Sequence, residues 1–290
     1  MSSPLLTYQQ SLVYEGDTTL ARWREDARVL RSLDLRAERL RRQWLWTNVA
    51  VGLVLAFAVF VVIANEDLPR GARSVVLGFP ATLLVIGLIR HATVKRLDVE
   101  NRRYELVDAL LGLLARDMKK DAGFFLRLDL LPPTHDSKAR VRSQRDGWNI
   151  SAYTDPWLTL RGRLLDGSRF SLTVRDHLEV RKRWKKTARG KMKLKEKRRE
   201  GLSASLKVRP DDERLAPLRA RTEALPRPKL PDAARVEGLR LDEDAVVLEG
   251  YLRGRWATAP GGVGEAEVSA LDFLTATFVG VYRLIPERRR

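Results

Sequence analysis

The 290-residue chain contains no cysteine, which excludes disulfides, thiolate metal sites and cysteine nucleophiles. Histidine is nearly absent as well. His91, His135 and His177 are the only three. Charge is plentiful overall, at 31% of residues, yet Gln43 to Asn65 carries none.

That 23-residue gap lies between Arg42 and Glu66, and a helix needs about 20 apolar residues to cross the hydrocarbon layer. Twelve Leu, Val, Ile and Phe fall between Leu45 and Ile63. At about −0.3 to −0.6 kcal/mol each, they favour insertion by about 4 to 7 kcal/mol. Some 42 mostly polar residues come first, which does not fit a cleaved secretory signal. A second run, "SVVLGFPATLLVIGLI", reaches spanning length if Arg90 snorkels and the helix continues to about Thr93. The expected fold class is therefore a membrane α-helical hairpin of two transmembrane helices, residues 44–64 and 74–93, joined by a short external loop over 65–73.

Basic residues set the orientation. Eight arginines from Arg22 to Arg42 precede the first run, and Arg90, Lys95, Arg96, Arg102 and Arg103 follow the second, against Arg70 and Arg73 in the loop. This bias predicts that both termini are cytoplasmic, in a plasma or bacterial inner membrane. Gly52 and Ala56, four apart, would permit close helix contact.

Residues 1–43 read as an N-terminal amphipathic-helix segment, helical over 18–43, with Leu20, Trp23, Ala27 and Leu30 on one stripe and Asp17 or Thr18 as the cap. Residues 94–121 read as a juxtamembrane helical stalk, because Leu97, Tyr104, Val107, Leu111, Leu114 and Met118 follow a coiled-coil period. Pairing of the two helices in one chain and a homo-oligomer through stalk or transmembrane helices are both compatible with that period.

After Gly123 the pattern alternates, which predicts a cytoplasmic α+β domain of antiparallel β-hairpins with a C-terminal helix. A β-rich region over 122–209 holds one hairpin turning at Asp166-Gly167 and a basic one turning at Glu200-Gly201. Five prolines mark 210–232 as a linker. Residues 233–290 complete the domain with a hairpin turning at Asp242 to Asp244 and a helix whose apolar face runs through Leu274, Phe278 and Val281.

The densest feature is "RKRWKKTARGKMKLKEKRR", residues 181–199. It supplies Arg181, Lys182, Arg183, Lys185, Lys186, Arg189, Lys191, Lys193, Lys195, Lys197, Arg198 and Arg199 around Trp184, with Glu196 as the single acid, within a chain of net charge +17. Seven of the 13 lysines lie here. Three readings compete: attraction to anionic lipid headgroups or an acidic protein, binding to nucleic-acid phosphates, and lysines that guard a sheet edge against aggregation.

Catalytic signals are thin. "PGGVGEAE", Pro260 to Glu267, lacks the lysine and strand context of a phosphate-binding loop. His135 with Asp136 and Asp176 with His177 are adjacent pairs that acid-base chemistry would need a cleft to unite. The Asp242–Asp244 turn lacks calcium-loop spacing. No enzyme activity, cofactor or metal is expected. The sequence reads as a membrane-anchored scaffold, sensor or assembly factor, with a membrane-tethered nucleic-acid binder or a small oligomeric channel as alternatives.

Overall fold

A computed structural model describes residues 11–65, 69–95, 101–186, 190–220, 225–258 and 267–286. The chain forms two units: Met1–Ala27 together with Glu100–Arg290, and Arg28–Val99.

In the second unit, helix α1 (Leu20–Ala64), which begins in the first unit, is followed by α2 (Arg70–Lys95). Both are long and apolar enough to cross a membrane, with mean hydropathy of 2.5 and 1.9 over their most apolar stretches, of which only 6% and 11% is buried. The amphipathic segment and the first apolar run are thus one uninterrupted helix. α2 starts earlier than predicted: Arg73 N–H donates to the Pro69 carbonyl at 3.0 Å, so Arg70 and Arg73 belong to its first turns. Proline suits a helix start because its missing N–H would have no intrahelical acceptor. The close approach between the helices is at Gly87, where a Cβ would overlap the Asn48 side chain, whereas Gly52 faces open space. Within the hairpin, the close contact expected at Gly52 is therefore found at Gly87 instead.

The first unit is built on an eight-stranded sheet ordered β1-β2-β4-β5-β6-β8-β7, with β3 beside the other half of β4. Its strands are β1 (Val13–Thr18), β2 (Phe124–Asp129), β3 (Arg140–Arg145), β4 (Trp148–Arg163), β5 (Arg169–Lys186), β6 (Met192–Arg209), β7 (Ala234–Leu241) and β8 (Val246–Arg253). Every pairing in it is antiparallel. A two-residue parallel pair, β9 (Trp256–Ala257) and β10 (Val268–Ser269), forms a second small sheet that is not hydrogen-bonded into it.

Alternation puts Leu158, Leu160, Leu172, Val174, Ala204 and Leu206 on one face, which is buried. Helix α5 (Ala270–Leu284) packs on β6 and β8 over this face and meets α3 (Asn101–Leu114). Ser269 caps α5 by accepting the Asp272 N–H at 3.1 Å. The opposite face, with Thr173, Ser203 and Ser205, is half-exposed. A mostly antiparallel sheet carrying a C-terminal helix is therefore present.

Three expectations are corrected. The helix expected as a stalk over 94–121 is helical over Asn101–Leu114, and Tyr104, Val107, Leu111 and Leu114 are core residues of the sheet unit; Leu97 lies outside the described residues. Glu200-Gly201 is not a turn. β6 runs straight through it, because Gly201 serves close packing: a Cβ there would collide with the Tyr251 ring. The N-terminal segment is not all helix either, since β1 precedes α1, Asp17 and Thr18 lie in β1, and Thr19 Oγ1 accepts the Arg22 N–H at 3.4 Å. Across the proline-rich stretch, which holds the short helix α4 (Asp212–Arg219), β6 pairs directly with β8.

Candidate anion-binding arm and its buried root

β4, β5 and β6 are 16, 18 and 18 residues long, and only one half of each lies over the helices. The other halves, Trp148–Tyr153, His177–Lys186 and Met192–Glu200, form with β3 a ribbon that we call the arm. All of β3 is exposed, as is Met192–Arg199. β6 pairs β8 only over Gly201–Val208, so Met192–Glu200 is an edge. β3 turns into β4 at Asp146 (φ 53°) and Gly147 (φ 72°), the two left-handed positions that a tight hairpin turn requires.

Register separates the basic residues onto two faces. Directly opposed residues of an antiparallel pair share a face, and so do residues two apart. One face, here called outer, carries Arg181, Arg183 and Lys185 from β5 and Lys193, Lys195, Lys197 and Arg199 from β6. Glu179 is the acid on that face of the two strands, and Arg181 Nε binds it at 2.7 Å. Trp148 lies among these cations, with the Arg183 guanidinium 4.4 Å and Lys197 Nζ 5.7 Å from its ring centroid. Such stacking lets cations sit closely side by side by giving each a negative ring face.

The inner face, continuous with the covered face of the sheet, carries Lys182, Trp184, Lys186 and Arg198. Glu196 binds Arg198 at 2.7 Å and Lys182 at 3.2 Å, and these bonds hold its carboxyl below the usual carboxylate range. Trp184 opposes Leu194 and Lys186 opposes Met192 across the strands. Of the thirteen residues singled out in the basic segment, seven thus share the outer face and four the inner. Lys191 precedes β6, and Arg189 lies outside the described residues.

The root of the arm is a buried charge cluster that no local pattern announced. Arg103, on α3, is fully buried. Its Nη1 donates to the carbonyls of Asp129 (2.9 Å) and Leu131 (2.8 Å), and its Nη2 to Asp155 (2.7 Å) and Asp176 (2.6 Å). Burial alone would lower the Arg103 pKa; Asp176 and Asp155 outweigh it and hold the pKa above its ordinary value. Lys138 bridges Asp155, at 2.7 Å, to Asp129. Trp256 donates its indole N–H to Asp176 at 2.8 Å and stacks on Trp157, ring centroids 5.7 Å apart. The cluster depends on a bulge: the β4–β5 register shifts between Pro156 and Leu158, which lets Asp155 and Leu158 both face inward.

The other sequence candidates are not brought together. Asp176 points inward, whereas His177, next along the strand, bonds Ser203 Oγ at 2.8 Å on the outer face. His135 bonds Ser137 at 2.8 Å. The Asp242–Asp244 turn is occupied by cations of its own chain: Lys207 binds Asp242 at 3.1 Å, and Arg209 binds Asp244 at 2.5 Å. The glycine-rich stretch at 259–266 lies outside the described residues; Glu267 pairs with Arg255 at 3.2 Å.

No family model, curated protein or solved structure matches this chain.

Proposed function

We propose that this protein is a membrane-anchored, non-enzymatic scaffold, sensor or assembly factor. Two helices hold it in a plasma or bacterial inner membrane, both termini are cytoplasmic, and the arm docks on an anionic surface. One observation carries the reading: seven cations of β5 and β6 share the outer face of the arm with a single acid that Arg181 already occupies. A lysine-guarded edge would account for β6 and for the end of β5 beyond Lys182, where the pairing with β4 stops, yet Arg181 lies where β5 is paired on both sides, to Ile150 and to Lys197. The arginine bias on either side of the apolar runs supports the orientation. Acidic proteins, anionic headgroups and nucleic acid offer the arm similar charges.

The test uses the full chain in neutral phosphatidylcholine nanodiscs, with polyglutamate and phosphatidylglycerol vesicles as probes. Each lysine near an anionic membrane contributes about 1 kcal/mol, so replacing Lys193, Lys195 and Lys197 together by Gln should weaken vesicle binding about a hundredfold. Unchanged binding overturns the reading. Stronger binding to duplex DNA than to either probe, with a steep salt dependence, would move it to nucleic acid.

A further inference from the structure

The end of the arm presents three large apolar side chains to solvent. Trp184 is 63% exposed, Met192 60% and Leu194 42%. Register places them together on the inner face, Trp184 directly opposite Leu194 and Met192 one step further out. Lys182 and Lys186 flank them on that face; Lys185 and Lys193 lie on the reverse, and Lys191 just precedes β6.

We infer that this tip is a bilayer-inserting element, in which Trp184, Leu194 and Met192 enter the boundary between headgroups and acyl chains of an anionic leaflet. The lysines around them extend their apolar stems along the same boundary and place their ammonium groups at lipid phosphates. The inference rests on the anion-docking reading above and names the anion.

Three observations favour a leaflet over other occupants. A second copy would bring Lys185, Lys186, Lys191 and Lys193 of two tips together, which like-charge repulsion opposes. Nucleic acid would use successive aromatic platforms for stacking, whereas Leu194 and Met192 are aliphatic. An acidic protein would satisfy the lysines but gives no reason for an indole, a leucine and a thioether to lie bare among them. A leaflet accounts for both, since tryptophan prefers the interface and the charges are complementary. The same chain also carries two helices of spanning length.

Because native cysteine is absent, a single Leu194→Cys variant can carry an environment-sensitive nitrobenzoxadiazole label while Trp184 and Met192 remain. The full chain is again held in phosphatidylcholine nanodiscs. Vesicles containing phosphatidylglycerol should shift the label to the blue and allow quenching by lipids with nitroxides on their chains. Pure phosphatidylcholine vesicles should do neither, and a Ser205→Cys label, in the core half of β6 away from the arm, should stay unchanged. Trp184→Ser with Met192→Ser should weaken vesicle binding roughly tenfold while leaving polyglutamate binding intact. Vesicle binding without a shift at Leu194→Cys overturns the insertion and leaves the docking reading standing. An equal shift with polyglutamate or duplex DNA also overturns it. Failure of the three-lysine variant to lose vesicle binding overturns the docking reading instead.

Discussion

Arg103 and Asp176, 73 residues apart in sequence, meet at 2.6 Å in the interior of the sheet unit. One guanidinium thereby ties α3 to β5, and through Asp155 to β4, where the arm leaves the core. Removing one member of a buried charge cluster leaves the others uncompensated, at a cost of about 3 to 5 kcal/mol. Arg103→Met should therefore lower the guanidinium midpoint of the full chain in detergent, followed by tryptophan fluorescence. Arg103→Lys should fail to restore it, because one ammonium cannot span the four acceptors that Nη1 and Nη2 serve.

His177 predicts a pH dependence. Burial lowers its pKa from the ordinary 6.5, and nearby Asp176 and Glu237 only partly oppose this. Between the lowered folded value and the ordinary one, the unfolded chain binds more protons than the folded chain, so stability falls as pH falls through that window. Denaturation midpoints measured from neutral pH down to about 5 should show the decline. His177→Asn should flatten it, and an unchanged slope would assign the decline to other groups.

Gly201→Val should destabilise the sheet by about 1 to 3 kcal/mol, the usual cost of overpacking, because the new side chain displaces Tyr251. Thermal unfolding measures this. A harmless substitution would restore the expectation of an open turn at Glu200-Gly201.

Trp148→Ala should loosen the arm without unfolding the core. It removes the ring that Arg183 and Lys197 share, each contact being about 0.5 to 1 kcal/mol at an exposed site. Hydrogen exchange should accelerate in Arg140–Arg145 and stay unchanged in Leu202–Val208.

Leu53→Arg places a charge within the most apolar stretch of α1, where Leu53 is 68% exposed. Insertion should become less favourable by about 2.5 to 3.5 kcal/mol. Carbonate washing should release more of the variant than of the parent, and equal retention would argue that Leu53 does not face lipid.

Local features were legible in the sequence; long-range ones were not. The two apolar runs, the turns at Asp166-Gly167 and Asp242–Asp244, and the apolar face of α5 each appear within about 20 residues, where periodicity can be counted. β1 escaped notice because its partner, β2, lies more than 100 residues away. β3 escaped because both of its faces are wet, which erases alternation, although Asp146-Gly147 carries the same turn signal as Asp166-Gly167. The helical face of Tyr104 and Leu111 was visible, but periodicity cannot say whether a stripe meets a helix or a sheet. For the candidate site, charge density revealed the arm, and strand register was needed to sort it into faces. Nothing local could reveal Arg103, whose carboxylates come from separate strands.

β5 and β6 pass from the core into the arm without interruption, and they remain paired residue for residue from Arg169–Arg209 to Lys186–Met192. Any force applied along β5 at Trp184 would load this ladder of backbone hydrogen bonds in shear. The strand that would meet a partner at Trp184 is thus the same one that reaches the internal salt cluster at Asp176, eight residues along it and on the same face.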